Sequence, residues 1–443
     1  MLKKIIHFGI CLIILVLPLY LFKLKIWLIP LTILELLIYG VFVLWLIEKR
    51  GRSLFIKWRA AFVFPIFLIF LGLTISTLFS ADLLVSAGIW KGWFMAPWLF
   101  FIVFLDSVKN QKQIRDILIA LTISGGGVAV IGLWYWFFDD LTYDGRLKAF
   151  YLSPNHLAMY LTPILILGFG LWGFLKDSWQ KLLLLVVSCL LLVVIYLTYS
   201  HGAWLGLIVA LGFFVGIRCH PERSEGSRRF IVFATGSFAS LRMTIIIISF
   251  IALAITLLIF SQLQTEKFQN ILNFSRSSLE SRLIIWRTAI EIIKTTPHNF
   301  LWGVGPGLFQ RYYLAYQPKF KPYLEWAASQ PHNLFLAFWL QTGLIGLIGF
   351  ILLLIWFFSR FKLEQLHWSS SEFQNCSNGA APISRFLSAA MVYILIHGLV
   401  DTTYWKNDLA IIFWLIIALA SITARLSYSQ KTNNLLGARE GAK

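Results

Sequence analysis

"QPHNLFLAFWLQTGLIGLIGFILLLIWFF", residues 330–358, carries no charge from Leu334 to Phe358. It is longer than the roughly 18 apolar residues that mark a helix able to cross a bilayer. A hydrocarbon core offers no water to backbone amides, so such a run must be a helix that satisfies its own hydrogen bonds. Its beginning is unusual. Pro331, His332 and Asn333 introduce it, and a titratable imidazole at the edge of an apolar slab asks for an explanation beyond packing.

The same pattern recurs along the chain. Of 443 residues 59% are hydrophobic and 13% are charged, with a mean hydropathy of +0.77. This excludes an ordinary soluble domain. The apolar runs predict an all-α, polytopic membrane helix bundle of about twelve spans: 5–22, 26–47, 60–79, 89–105, 114–138, 157–175, 182–199, 202–217, 244–261, 333–358, 385–400 and 408–425. Ile5–Phe22 follows Lys3 and Lys4 as a signal sequence would. It lacks a small-residue cleavage site, however, and reads as a retained helix.

Lys and Arg alternate from loop to loop. Lys3 and Lys4, the cluster Lys49 to Arg59, Lys109 to Arg115, Lys176 and Lys181, the tract 218–243, Arg360, Lys362 and the tail fall on one side. The loops 80–88 and 200–201 have none, and 401–407 has only Lys406. The positive-inside rule then places both termini in the cytoplasm, in a multi-pass protein of the cytoplasmic (inner) membrane. It also accounts for most of the +18 net charge, so no nucleic-acid partner is expected. The organisation expected is N-terminal helices over 1–138, central helices over 139–261, an extracytoplasmic loop over 262–332, and C-terminal helices with a cytoplasmic tail over 333–443. The basic, Ser-rich tract 218–243 reads as an insertion tolerated at a cytoplasmic turn.

The long outer loop should contain amphipathic helices. In "SSLESRLIIWRTAIEIIK" (277–294), Ser277 to Glu280 has the form of a capping box, and Leu283, Trp286, Ile290 and Ile293 form a stripe at helical spacing. "GVGPGLF" (303–309) is a turn-rich link.

Polar groups suited to chemistry gather on this outer side. His332 is the candidate general base, because a neutral imidazole accepts a hydroxyl proton near neutral pH. Asn333 beside it is a candidate for substrate contact or for a helix cap. Arg282 and Arg287 offer planar donors to a phosphate or pyrophosphate, or are solvated surface charge. "TYSHGAWLG" (198–206) supplies His201 at a polar hinge or a plain external hairpin, and "GRLKAFYLSPNHLAMYL" (145–161) supplies Arg146, Asn155 and His156 before a span, where residue type alone favours ordinary loop structure. The four cysteines form no CxxC or Cys/His cluster. "DDLTYD" (139–144) is the one acidic cluster outside, and adjacent aspartates on a loop are usually only solvated. No metal and no cofactor is expected.

The pieces "SRLIIWRTAIEIIKTTP", "GVGPGLF" and "PHNLFLAFWLQTGLIGLIGF", in that order on a long outer loop, resemble the O-antigen ligase and O-antigen polymerase family of bacterial membrane glycosyltransferases. "GRLKAFYLSPNHLAMYL" is similar to an earlier segment of that family, and the likeness spans roughly 140–405. The resemblance implies transfer of a glycan from an undecaprenyl-pyrophosphate-linked donor to an acceptor hydroxyl on lipid A core, on another glycan or on protein. It places the family's His on His332 and its outer-loop Arg on Arg282 as catalytic residues. Arg287, His201, Arg146, Asn155 and Asn333 are then the substrate-binding candidates. The hinge that reads Ser-Arg-Gly in many members reads Ser200-His201-Gly202 here, which removes one permanent cation. A lipid or polysaccharide transporter is the reading of another class; it calls for internal repeats and mid-span charges. No repeat is evident, and Glu35 and Lys91 are the exceptional charges. A purely structural membrane partner leaves the His/Arg set unexplained.

Overall fold

The computed structural model describes residues 1–26, 29–50, 60–216, 278–321, 325–366 and 383–440. The span expected at 244–261, the insertion at 218–243, the capping box opened by Ser277, and Cys219 and Cys376 lie outside the described residues.

The described chain is a helix bundle with one small hairpin. Six helical stretches are long and apolar enough to cross a membrane: Leu83–Ser107, Gln111–Phe137, Pro154–Phe174, Ser178–Leu197, Leu334–Phe361 and Asn407–Leu426. Phe62–Leu78, His201–Gly216 and Ile383–Gly398 are shorter apolar helices. The expectation of about twelve spans is therefore met only in part. The reason is local at the N-terminus. The first helix, Leu2–Leu15, gives way to a 3-10 turn holding Pro18, whose missing N–H cannot extend a helix. The second apolar run does not begin at 26. Lys23–Ile26 and Ile29–Thr32 pair as an antiparallel hairpin, and the helix Ile33–Lys49 starts where Thr32 and Glu35 exchange the two bonds of a capping box.

Close packing in the bundle relies on small residues. A Cβ on Gly72 would lie 2.5 Å from the Thr342 carbonyl oxygen, so the helices Ala60–Leu78 and Leu334–Leu366 touch backbone to backbone. Such contacts drive association where lipid tails are as apolar as leucine. Leu334–Leu366 is itself interrupted at Gly343 (φ 68°, ψ −179°), a conformation a side chain disfavours. An interruption leaves carbonyls of the preceding turn without their usual partners. The Leu340 carbonyl is taken instead by Val304 N–H at 2.7 Å, and the Gln341 side chain accepts from Gly307 N–H at 2.9 Å. The break thus grips the glycine-rich link 303–307.

The segment before it carries the helices Ser278–Thr295, Pro297–Trp302 and Phe309–Tyr316. They form a second apolar core with Ile285, Ala289, Ile292, Val304, Phe309 and Leu340. The stripe that meets the protein is thus Ile285, Ala289, Ile292 and Ile293, whereas Leu283 and Ile290 are exposed. Both stripes satisfy helical spacing, and only the neighbours decide which is covered.

The two ends of the bundle differ. At one, Asp106 takes Lys49 at 2.7 Å and Lys109 at 3.8 Å, and Arg425 donates to the Val108 carbonyl at 3.0 Å. At the other converge the segments carrying Arg146, Asn155, Thr198, His332 and Asp401.

Candidate active site

Asn155, His332 and Asp401 are each positioned by a helix end. Asn155 lies in the first turn of Pro154–Leu171, where Ser153 accepts His156 N–H at 3.2 Å as N-cap and Pro154 occupies the first helical position. Arg146 sits in the preceding loop. That loop is stitched to the hinge by Leu147 N–H on the Leu197 carbonyl at 2.9 Å and by Arg146 Nε on the Thr198 carbonyl at 2.8 Å. Asp401 follows Ile383–Gly398, its N–H returning to the His397 carbonyl at 3.0 Å. His332 has a positive φ of 45°, as do Ala149 (49°) and Tyr199 (47°) in the neighbouring loops. Non-glycine residues in this region are costly and cluster at functional sites.

These elements bring four side chains into one network. His332 Nδ1 meets Asp401 Oδ1 at 3.2 Å. Asn155 Nδ2 donates to Asp401 Oδ2 at 2.8 Å, and Arg146 donates to Asn155 Oδ1 at 2.7 Å. Thr402 N–H adds a bond to Asp401 Oδ1 at 2.8 Å. Asp401 is buried, its side chain 5% exposed, and that of His332 is 29% exposed. Since Asp401 only accepts, the neutral imidazole carries its proton on Nδ1, which leaves the lone pair on Nε2.

The electrostatics follow from this pairing. Burial works against charge on His332, but the Asp401 carboxylate outweighs it and holds the imidazole above its ordinary range. Burial also opposes charge on Asp401. The imidazole and its hydrogen bond prevail, and the carboxyl is held far below its usual range. Burial pulls Arg146 below the ordinary arginine range, with Asp144 acting against it. The charge of Arg282 is felt at Arg146, His332 and Asp401. Among the described residues, Arg282 has no hydrogen-bond or ion-pair partner. Four residues on, Trp286 shares its helix face and donates Nε1–H to the His332 carbonyl at 3.1 Å.

The other expected residues fall differently. Asn333 is a cap: its Oδ1 accepts Phe335 and Leu336 N–H at 3.0 Å each, and its Nδ2 ties to the Leu399 carbonyl at 2.9 Å. Arg287 is exposed, and Glu291, one turn on, pairs with Lys319 at 3.0 Å. His201 opens the helix His201–Gly216 and is half-buried. Asp144 accepts from Thr142 at 2.6 Å and lies 4.0 Å from Arg146. Among the described residues, no three His, Cys, Asp or Glu side chains gather as a metal site would require.

Sequence reasoning passed over Asp401. The signal was present: a lone carboxylate at the mouth of an apolar helix is a functional candidate by default.

No curated protein matches the chain. The family model described as O-antigen ligase matches residues 184–351, which include His201, Arg282 and His332 and leave Arg146, Asn155 and Asp401 outside. The chain carries an O-antigen ligase family domain, on a bundle with several candidate membrane helices, and is a membrane enzyme of the glycosyltransferase kind.

Proposed function

We propose that the protein transfers a glycan from an undecaprenyl-pyrophosphate-linked donor to an acceptor hydroxyl, at the outer face of the cytoplasmic membrane and with both termini inside. The observation that carries this reading is the His332–Asp401 pair at 3.2 Å, set among Arg146 and Arg282. A lipid pyrophosphate is a good leaving group, and a hydroxyl is a poor nucleophile. The chemistry therefore needs a base on one side and cations on the other.

His332 Nε2 takes the proton of the acceptor O–H as that oxygen bonds to the anomeric carbon. The bond from this carbon to the phosphate oxygen breaks, and its electrons leave on the pyrophosphate. Arg282 and Arg146 receive the growing negative charge, and Asp401 stabilises the imidazolium, which then returns its proton to water. A single displacement inverts the anomeric centre and needs neither a metal nor a cofactor. Asn333 and Asn155 act here within the protein frame, and Arg287 and His201 are further candidates for contact with the donor. The acceptor is lipid A core in a ligase, a second lipid-linked repeat in a polymerase, or a protein hydroxyl in an O-oligosaccharyltransferase. Glycan profiling of a deletion strain separates them by which product is lost.

The direct test is single-turnover transfer by purified His332→Ala. Removal of a general base lowers the rate by about 10²–10⁴-fold, with donor binding retained. Transfer near the wild-type rate ends the proposal.

A further inference from the structure

Asn155 joins two groups of opposite hydrogen-bonding character. Arg146, which can only donate, gives to its Oδ1 at 2.7 Å; Asp401, which can only accept when ionised, takes its Nδ2–H at 2.8 Å. The amide therefore has one allowed orientation. Turned over, its NH2 would face a guanidinium and its oxygen a carboxylate. Asp401 in turn uses its other oxygen for His332 at 3.2 Å and for Thr402 N–H at 2.8 Å. A continuous chain, Arg146–Asn155–Asp401–His332, runs from a cation at the hinge to the imidazole. Both polar ends of Asn155 are spent inside it.

Other charges also bear on the imidazole. Arg282 faces it from the helix Ser278–Thr295 and Glu325 from the segment ahead of Pro331. His397 and Arg282 act at Asp401, and Asp144 lies beside Arg146.

We propose that Asn155 is a positioning residue that holds Asp401 on His332 and ties the base to the cation meeting the leaving group, without touching the donor itself. This rests on the reading of His332 as the base. A hydrophobic residue at 155 would break the chain at both ends. An aspartic acid would keep it only while protonated, its O–H donating to Asp401 and its C=O accepting from Arg146.

The experiment compares wild type, Asn155→Ala, Asn155→Asp, His332→Ala and the double variant His332→Ala/Asn155→Ala as purified full-length protein, with lipid-linked donor varied across a pH series. Asn155→Ala should lower kcat about ten- to a hundredfold, the worth of a hydrogen bond to a charged group, with the donor KM unchanged. In the His332→Ala background the same substitution should cost nothing more, because a residue acting through another adds nothing once that other is gone. Asn155→Asp should share the acid limb set by His332 and lose activity again as pH rises and its own carboxyl ionises, a descending limb not shared by the wild type. A raised donor KM at unchanged kcat overturns the proposal, for it makes Asn155 a donor contact. A full multiplicative loss in the double variant, or an Asn155→Asp profile parallel to wild type, overturns it as well. A His332→Ala enzyme turning over like wild type refutes the base itself, an outcome read from a different variant.

Discussion

At the scale of the residue, His332 is defined by what holds it. Its backbone has a φ of 45°, its Nδ1 meets Asp401, and the Trp286 indole holds its carbonyl. The pH dependence follows from the sign of its shift. A base works in its neutral form, and Asp401 raises the pH at which His332 becomes neutral. Transfer should therefore fall as pH drops through a value above the ordinary imidazole range near 6.5. Asp401→Asn removes the charge that raises it, so the acid limb of kcat should move to lower pH while the maximal rate falls. A limb that stays in place would show that Asp401 does not act on His332. Arg282 should behave otherwise. In the proposed role as a contact for the leaving pyrophosphate, Arg282→Ala should weaken donor binding as well as turnover. Arg282→Lys should recover only part of either, since an ammonium cannot make the planar two-pronged contact. Titration of binding and rate on the same preparations separates the two effects.

Helix ends are the elements from which the site is made. Ser153 and Pro154 start one helix and so place Asn155 in its first turn; Asn333 starts another immediately after His332. An N-cap contributes about 1 kcal/mol. Asn333→Ala should lower thermal stability by that order and leave the rate per folded molecule close to wild type, in contrast to its neighbour His332. A stable Asn333→Ala protein that loses transfer would instead place Asn333 among the substrate contacts. The charges Glu35 and Lys91 also find an account at this scale. Lys91 sits in the π-turn Trp90–Met95 and meets Glu35 at 2.9 Å, and Asn407 donates to the same carboxylate at 3.4 Å. Each charge answers the other, so the pair supports the bundle and offers little to a transport reading.

Across the whole molecule, the polar groups separate to opposite ends. The network of Asp106 with Lys49 and Lys109 occupies one, and that of Asp401 with His332 and Asn155 the other. If the second end faces outward, a cysteine placed at the exposed Ser329 in a cysteine-free background should react with an impermeant reagent in intact cells. One placed at the exposed Lys112 should react only after permeabilisation. The reverse pattern would put His332 on the wrong side for an outer-face donor, and the proposed function with it.

Sequence alone determined the class of this protein, since apolar runs such as Leu334–Phe358 have no other stable form in a bilayer. It also offered His332, Arg282, Arg146 and Asn155 as candidates, His332 by residue type and context, Arg282 through the resemblance, and the last two against a plain loop reading. What periodicity could not convey was which face each helix turns inward. The covered stripe on Ser278–Thr295 is Ile285, Ala289 and Ile292, although the one through Leu283 and Ile290 has the same spacing. Nor does any local pattern announce that Asp401 lies against His332, a partner 69 residues away, and Asn155, 246 residues away. That pairing was decided by tertiary structure, because only the packing of Pro154–Leu171, Leu334–Leu366 and Ile383–Gly398 brings three helix ends to one place. There a buried carboxylate has to find its donors.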